Sequence, residues 1–92
     1  MLHMLSLSRL ELLDVSDNAL KILPEGWETC SSLKVLRLTR NLVQEVTSTL
    51  GDLAQLEILS LQGNRIFHLP TSCVKLKQLK NVSTSQCTQL HI

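Results

Sequence analysis

The residues that could support catalysis or metal binding are few, and their spacing does not bring them together. They are three histidines and three cysteines: His3, His68, His91, Cys30, Cys73 and Cys87. A nucleophilic thiol needs a matched base, and a zinc site needs ligand pairs such as CxxC. Neither pattern occurs, and Gly26, Gly51 and Gly63 are too isolated for a phosphate-binding loop. We therefore expect no enzyme activity and no metal, nucleotide or redox cofactor.

The cysteine count and the N-terminus indicate the compartment. An odd number of cysteines without a CxxC pair differs from a secreted disulfide framework, which usually has an even set. The N-terminal segment is apolar, but it has no Lys or Arg ahead of it and no small-residue cleavage site. We expect no signal peptide, three unbridged thiols and a cytoplasmic location.

Charge and hydropathy exclude two kinds of partner. The net charge is +1, whereas nucleic-acid binding would require a clustered basic face. No stretch approaches the ~20 consecutive apolar residues of a membrane span. With 43% hydrophobic residues the chain can form a core, and we expect neither nucleic-acid binding nor membrane insertion.

The polar residues that do show a regular spacing are asparagines, and they belong to a repeat. Asn18, Asn41 and Asn64 are 23 residues apart. The same interval separates four leucines: Leu10, Leu33, Leu56 and Leu79. Three uninterrupted copies of one pattern indicate a chain built from stacked repeats, in which each unit buries its apolar face against the next.

Each repeat contains the signals for two short elements. Alternating apolar residues predict a strand with one buried face, centred on residues 13–15, 36–38 and 59–61. Apolar residues three apart, as in Leu50 and Leu53, predict a short helical turn on the opposite side. Two other pairs have this spacing: Trp27 with Cys30, and Cys73 with Leu76.

This pattern resembles the leucine-rich-repeat family, whose unit reads LxxLxLxxNxL. The second repeat shows it as Leu33, Leu36, Leu38, Asn41 and Val43. The resemblance covers nearly the whole chain and is closest to the intracellular 23-residue class with a Leu-Pro after the strand, as in Ras suppressor, Erbin and Scribble. It implies an α/β fold, namely a right-handed solenoid with a parallel concave sheet and short helical or 3₁₀ convex segments.

The resemblance also assigns the three asparagines a structural role. In this family they point inward and hydrogen-bond the backbone of the turn, so Asn18, Asn41 and Asn64 are expected to form a structural ladder. A buried amide is costly unless its hydrogen bonds are made, and stacked turns supply the partners. Cys87 occupies the fourth position of this ladder.

The repeats predict a single domain over residues 1–92. Residues 1–9 form a partial repeat, and 10–32, 33–55 and 56–78 are full repeats. The segment 79–92 begins like a repeat with Leu79 and Val82 but has Thr84 where a leucine is expected. It is either a decayed terminal repeat or a foreign tail.

Side chains between the buried leucines are expected to face outward and to form the partner-binding surface. The candidate residues are Asp14, Ser16, Asp17, Arg37, Thr39, Arg40, Ser60 and Gln62. Equivalent residues of adjacent parallel strands lie about 4.8 Å apart, so Asp14 is expected beside Arg37 and Asp17 beside Arg40.

Two interpretations of these charges remain open. They could be exposed ion pairs that satisfy one another, or a docking strip whose electrostatics orient a partner. Leu12, Val35 and Ile58 form an apolar row at the margin, either to anchor a partner or because β-branched residues favour strands.

The functional hypothesis is a protein–protein interaction module in an intracellular scaffold or signalling regulator, which binds a protein partner on its concave face. The alternative is the substrate-recognition segment of a larger enzyme or complex, such as a ubiquitin ligase, kinase or phosphatase. The sequence assigns no oligomeric state.

Overall fold

The computed structural model describes residues 9–22, 30–67, 69–85 and 87. Within these residues, four strands form one parallel sheet in the order of the chain: β1 (Leu12–Asp14), β2 (Val35–Arg37), β3 (Ile58–Ser60) and β4 (Asn81–Ser83). The same described ranges contain two 3₁₀ helices, Ser48–Asp52 after β2 and Thr71–Lys75 after β3. The predicted solenoid with a parallel sheet and short helical segments is therefore confirmed.

The first three strands each begin one residue before the segments predicted from the sequence, which are 13–15, 36–38 and 59–61. Their register is in step with the repeat: Leu13 pairs with Leu36, Leu36 with Leu59, and Leu59 with Val82. Parallel hydrogen bonds continue past the strand ends, as from the Leu38 N–H to the Ser60 carbonyl at 2.8 Å. Side chains 23 residues apart are consequently neighbours on the same face of the sheet.

The core lies between the sheet and the 3₁₀ helices. The most deeply buried side chains of the strand regions are leucines, each at most 1% exposed: Leu33, Leu36, Leu38, Leu56, Leu59 and Leu61. Leu50 from the first 3₁₀ helix packs in the same cluster. Each buried leucine contributes roughly 1.5–3 kcal/mol to the stability of the fold. Because the strands and the 3₁₀ helices share one core, their outer faces lie on opposite sides of the repeats.

The fourth strand bears on the interpretation of residues 79–92. Asn81–Ser83 pairs with β3 over three residues, and Cys87 is buried. The parallel sheet therefore continues into the segment 79–92. Val82 occupies the position of the core leucines but is 41% exposed.

Parts of the sequence interpretation lie outside the described residues. These are the partial repeat apart from Arg9, and the helical turn predicted around Trp27. In the part of the chain that is described, no helix has the length and apolar character needed to cross a membrane.

Candidate partner-binding surface

The turns after the strands are held by the asparagines, and Asn41 shows how. Its Nδ2 donates to the carbonyls of Val15 and Leu38, at 3.0 and 3.1 Å. Its Oδ1 accepts the backbone N–H groups of Asn18 and Leu20, at 3.0 and 2.9 Å. Asn41 is 3% exposed, so this one side chain ties the first turn to the second inside the protein.

Asn64 repeats the arrangement one repeat later. Its Nδ2 donates to the carbonyls of Leu38 and Leu61, at 2.7 and 2.9 Å, and its Oδ1 accepts the Val43 N–H at 3.1 Å. The Cys87 thiol takes the next position and donates to the Leu61 carbonyl at 3.1 Å. The cysteine therefore makes one of the donor contacts that the asparagine amide makes in the preceding repeat.

Asn18 differs from the other two asparagines because it is exposed. Its Nδ2 still donates to the carbonyls of Val15 and Ser16, both at 2.8 Å. No described residue covers its outer side. Asparagine at the same repeat position is therefore exposed to solvent in the first repeat and buried in the second.

The residue just before each asparagine adopts a left-handed backbone. Asp17, Arg40 and Gly63 have φ of 60°, 55° and 75°. A Cβ built on Gly63 would lie 3.1 Å from Cγ of Arg40, so the glycine also gives Arg40 room. This conformation sets the position from which the Asp17 and Arg40 side chains extend.

The outer face of the sheet carries a polar row in register across the four strands. It consists of Asp14, Arg37, Ser60 and Ser83. Asp14 does pair in register with Arg37, as predicted, but no ion pair joins them within the described residues. The Asp14 carboxylate instead accepts the Ser16 N–H at 3.0 Å. Hydrogen bonding to Ser16 is the main cause that lowers the pKa of Asp14, and the charge of Arg37 contributes less.

Asp17 and Arg40 form the ion pair that the spacing predicts. Nε and Nη2 of Arg40 donate to the two carboxylate oxygens of Asp17 at 2.6 and 2.9 Å. This contact lowers the pKa of Asp17 and raises that of Arg40. Since the folded-state pKa of Asp17 is lowered, the pair stabilises the fold above the ordinary carboxyl pKa. That contribution is lost as pH falls through the lowered value, and exposure to solvent keeps it small.

Two of the predicted surface residues are less accessible than expected. Thr39 is only 9% exposed, so the expectation that its side chain faces outward is wrong. Its N–H donates to Oγ of Ser16 at 3.1 Å. Gln62 is half-buried, and its Oε1 is buried without a hydrogen-bond partner in the described structure.

Beside the polar row runs the apolar row of Leu12, Val35 and Ile58, which pair in register. Leu12 is 50% exposed, and Val35 and Ile58 are half-buried. The polar row and this apolar row together are called the outer strip below. It is continuous because every member lies opposite its equivalent on the next strand.

The sequence interpretation missed two ion pairs that border the outer strip. Lys34 Nζ lies 3.7 Å from Oε1 of Glu11, and Lys80 Nζ lies 3.4 Å from Oε1 of Glu57. The signal was available: the four residues immediately precede the strands, and their charges alternate at intervals of 23. These pairs neutralise one margin of the strip.

The described residues provide no group of three or more His, Cys, Asp or Glu side chains that could hold a metal ion. No disulfide joins the three cysteines, all of which the structure describes. Burial raises the pKa of the Cys73 thiol, which makes it less reactive as a thiolate. The outer strip itself presents an apolar row, exposed charges and hydroxyls.

A parallel sheet of 23-residue repeats, with an asparagine at the same position of successive turns, defines a class of repeat proteins. The comparison with protein families points to the same class. The family model for the leucine rich repeat matches residues 8–66. The chain belongs to the leucine-rich-repeat family. Domains of this family generally mediate protein–protein interactions and are typically not enzymes.

Among solved structures, the chain is similar to a leucine-rich-repeat protein of Leptospira interrogans, with a TM-score of 0.80 and 24% sequence identity. The match covers 88% of this chain and 24% of the Leptospira protein, so this chain spans about a quarter of that protein's length. At this identity the likeness shows the fold alone. Comparison with curated proteins gives no match.

Proposed function

We propose that this chain is a protein-interaction module of an intracellular scaffold or signalling regulator, and that the outer strip is its partner-binding surface. The observation that carries the proposal is the register of the sheet. It aligns the exposed Asp14 and Arg37 and the half-exposed Leu12 with their equivalents on adjacent strands. A surface that combines apolar side chains with charges at fixed spacing suits recognition of another protein.

The composition supports a protein as the partner. A net charge of +1 gives no attraction for nucleic acid. We further propose a cytoplasmic location and membership of the intracellular 23-residue class. The Leu69-Pro70 pair after β3 and the three cysteines without a disulfide support both.

The alternative proposal is a substrate-recognition segment of a larger enzyme or complex, such as a ubiquitin ligase, kinase or phosphatase. In that case the chemistry would reside outside these repeats, and the outer strip would bind the substrate. Identification of the proteins that purify with the longest natural form of the chain separates the two proposals.

Charge reversal on the outer strip and its neighbouring turn is expected to weaken partner capture strongly. The double substitution Arg37→Glu with Arg40→Glu reverses two exposed cations and places like charges beside Asp14 and Asp17. We expect partner recovery from cytosolic extract to fall about tenfold or more, which corresponds to ~1.4 kcal/mol. Quantitative mass spectrometry of the captured proteins measures it, and circular dichroism verifies the fold.

The matched control is Lys75→Glu with Lys77→Glu. Both lysines are exposed, at the end of the second 3₁₀ helix and just beyond it, and the change in net charge is the same. Partner recovery should survive this control. Equal losses in the two double variants would indicate long-range attraction only. Unchanged partner recovery in the variant with Arg37→Glu and Arg40→Glu would show that the interface does not lie on the outer strip.

A further inference from the structure

The outer strip contains one guanidinium whose charge no described residue neutralises by direct contact. The Asp14 carboxylate is bonded to Ser16, and Asp17 forms its ion pair with Arg40. Arg37 is exposed, and in the described part of the chain it makes no ion pair or side-chain hydrogen bond. An exposed guanidinium presents a planar set of donors that matches a carboxylate.

The residues in register with Arg37 add donors to the same place. Ser60 on β3 lies directly across from Arg37, and Ser83 on β4 lies across from Ser60. Both serines are half-buried, and no described residue hydrogen-bonds to either hydroxyl. Adjacent strands are about 4.8 Å apart, so a guanidinium and two hydroxyls line one path across the sheet. Hydroxyls and a guanidinium together favour an acceptor with negative charge.

The apolar row indicates which side chain the partner must carry next to that negatively charged acceptor. Val35 and Ile58 precede Arg37 and Ser60 by two residues on the same face, a separation of about 6.6 Å along the strand. An extended peptide spaces side chains two positions apart by the same distance. A helix brings residues three or four apart to within ~5–6 Å.

We propose that the outer strip selects a protein segment with an Asp or Glu close to a large apolar side chain. This inference rests on the proposed function. The acidic side chain pairs with Arg37 and accepts from the Ser60 hydroxyl, and the apolar side chain packs on Val35 and Ile58. Basic segments are disfavoured because a cation would lie beside the unpaired Arg37, and Asp17 is already paired with Arg40. The spacing between the two side chains is two positions in an extended segment, or three to four in a helix.

The test is selection of displayed random short peptides on the full chain and on two variants. Arg37→Gln removes the charge from the outer strip, whereas Arg65→Gln removes the same charge from an exposed site after Asn64. On the unchanged chain and on Arg65→Gln, we expect enrichment of an acidic residue two to four positions from a large apolar one. On Arg37→Gln the acidic preference should disappear. Affinity of a selected peptide should fall about tenfold by calorimetry.

A third variant locates the bound peptides and separates this proposal from the function on which it rests. Val35→Thr with Ile58→Thr keeps β-branched residues while reducing the apolar surface. Peptides that lose affinity with this variant but show no acidic preference would overturn the acidic-segment proposal and leave the proposed function standing. Enrichment of basic residues, acidic enrichment that persists on Arg37→Gln, or failure to select any peptide would overturn it as well.

Discussion

Asn41→Ala is expected to lower the free energy of unfolding by about 2–4 kcal/mol, a loss that surface changes in the same repeat do not approach. The substitution removes the acceptor of the Asn18 and Leu20 N–H groups. It also removes one of the two amide donors to each of the Val15 and Leu38 carbonyls. Since Asn41 is 3% exposed, water cannot replace these bonds without opening the turn.

Urea denaturation measures this effect as a shift of the midpoint by about 1–2 M. Two control variants are compared with Asn41→Ala in the same measurement. Gln44→Ala alters an exposed side chain of the same repeat and should leave the midpoint nearly unchanged. Asn18→Ala makes the same chemical change at the equivalent exposed position, and it should cost less than half as much. Equal midpoints for the Asn41 and Gln44 variants would show that the asparagine row does not hold the turns together.

Gly51→Ala is the second substitution with a large expected effect, and local propensity predicts the opposite sign. Gly51 lies in the first 3₁₀ helix, where alanine would ordinarily be the better helix former. A Cβ at this position would lie 2.6 Å from the Ser72 carbonyl oxygen and 2.7 Å from the Ser72 Cβ. The backbone of the next repeat must move, and overpacking of this kind costs about 1–3 kcal/mol.

A double-mutant cycle with Ser72→Gly tests the cause. It removes the Ser72 Cβ and Oγ, and with them the hydrogen bond from Oγ to the Ser48 carbonyl at 2.7 Å. Gly51→Ala should cost less in this background than in the unchanged chain, although the clash with the Ser72 carbonyl remains. A gain in stability from Gly51→Ala alone would contradict the close packing of the two 3₁₀ helices.

The fold can be predicted from the sequence because the repeat specifies it several times over. Leucines at a fixed interval place every strand in register, and a shift by one residue would expose Leu36 and Leu59 together. The start of each strand cannot be predicted to the residue, since hydrogen bonding rather than hydropathy sets it. The fourth strand is ambiguous in the sequence because Thr84 breaks the leucine pattern just beyond Ser83.

The candidate surface is only partly predictable. Spacing alone places Asp14 beside Arg37 and Asp17 beside Arg40, but it does not show which pairs make contact. Asp14 accepts the backbone N–H of Ser16, two residues along the chain, and makes no ion pair with Arg37 among the described residues. Strict alternation assigns Thr39 to the surface, and it fails beyond the end of β2, where Leu38 and Thr39 are both buried.

Site-specific photo-crosslinking in cells tests the central claim most directly, because it captures a binding partner whose identity is unknown. A photoreactive amino acid replaces Leu12, which is 50% exposed on the outer strip, or Val74, which is 76% exposed on the second 3₁₀ helix. We expect a discrete cross-linked partner from position 12 and none from position 74. Discrete cross-links from position 74 with none from position 12 would contradict the assignment of the outer strip as the partner-binding surface.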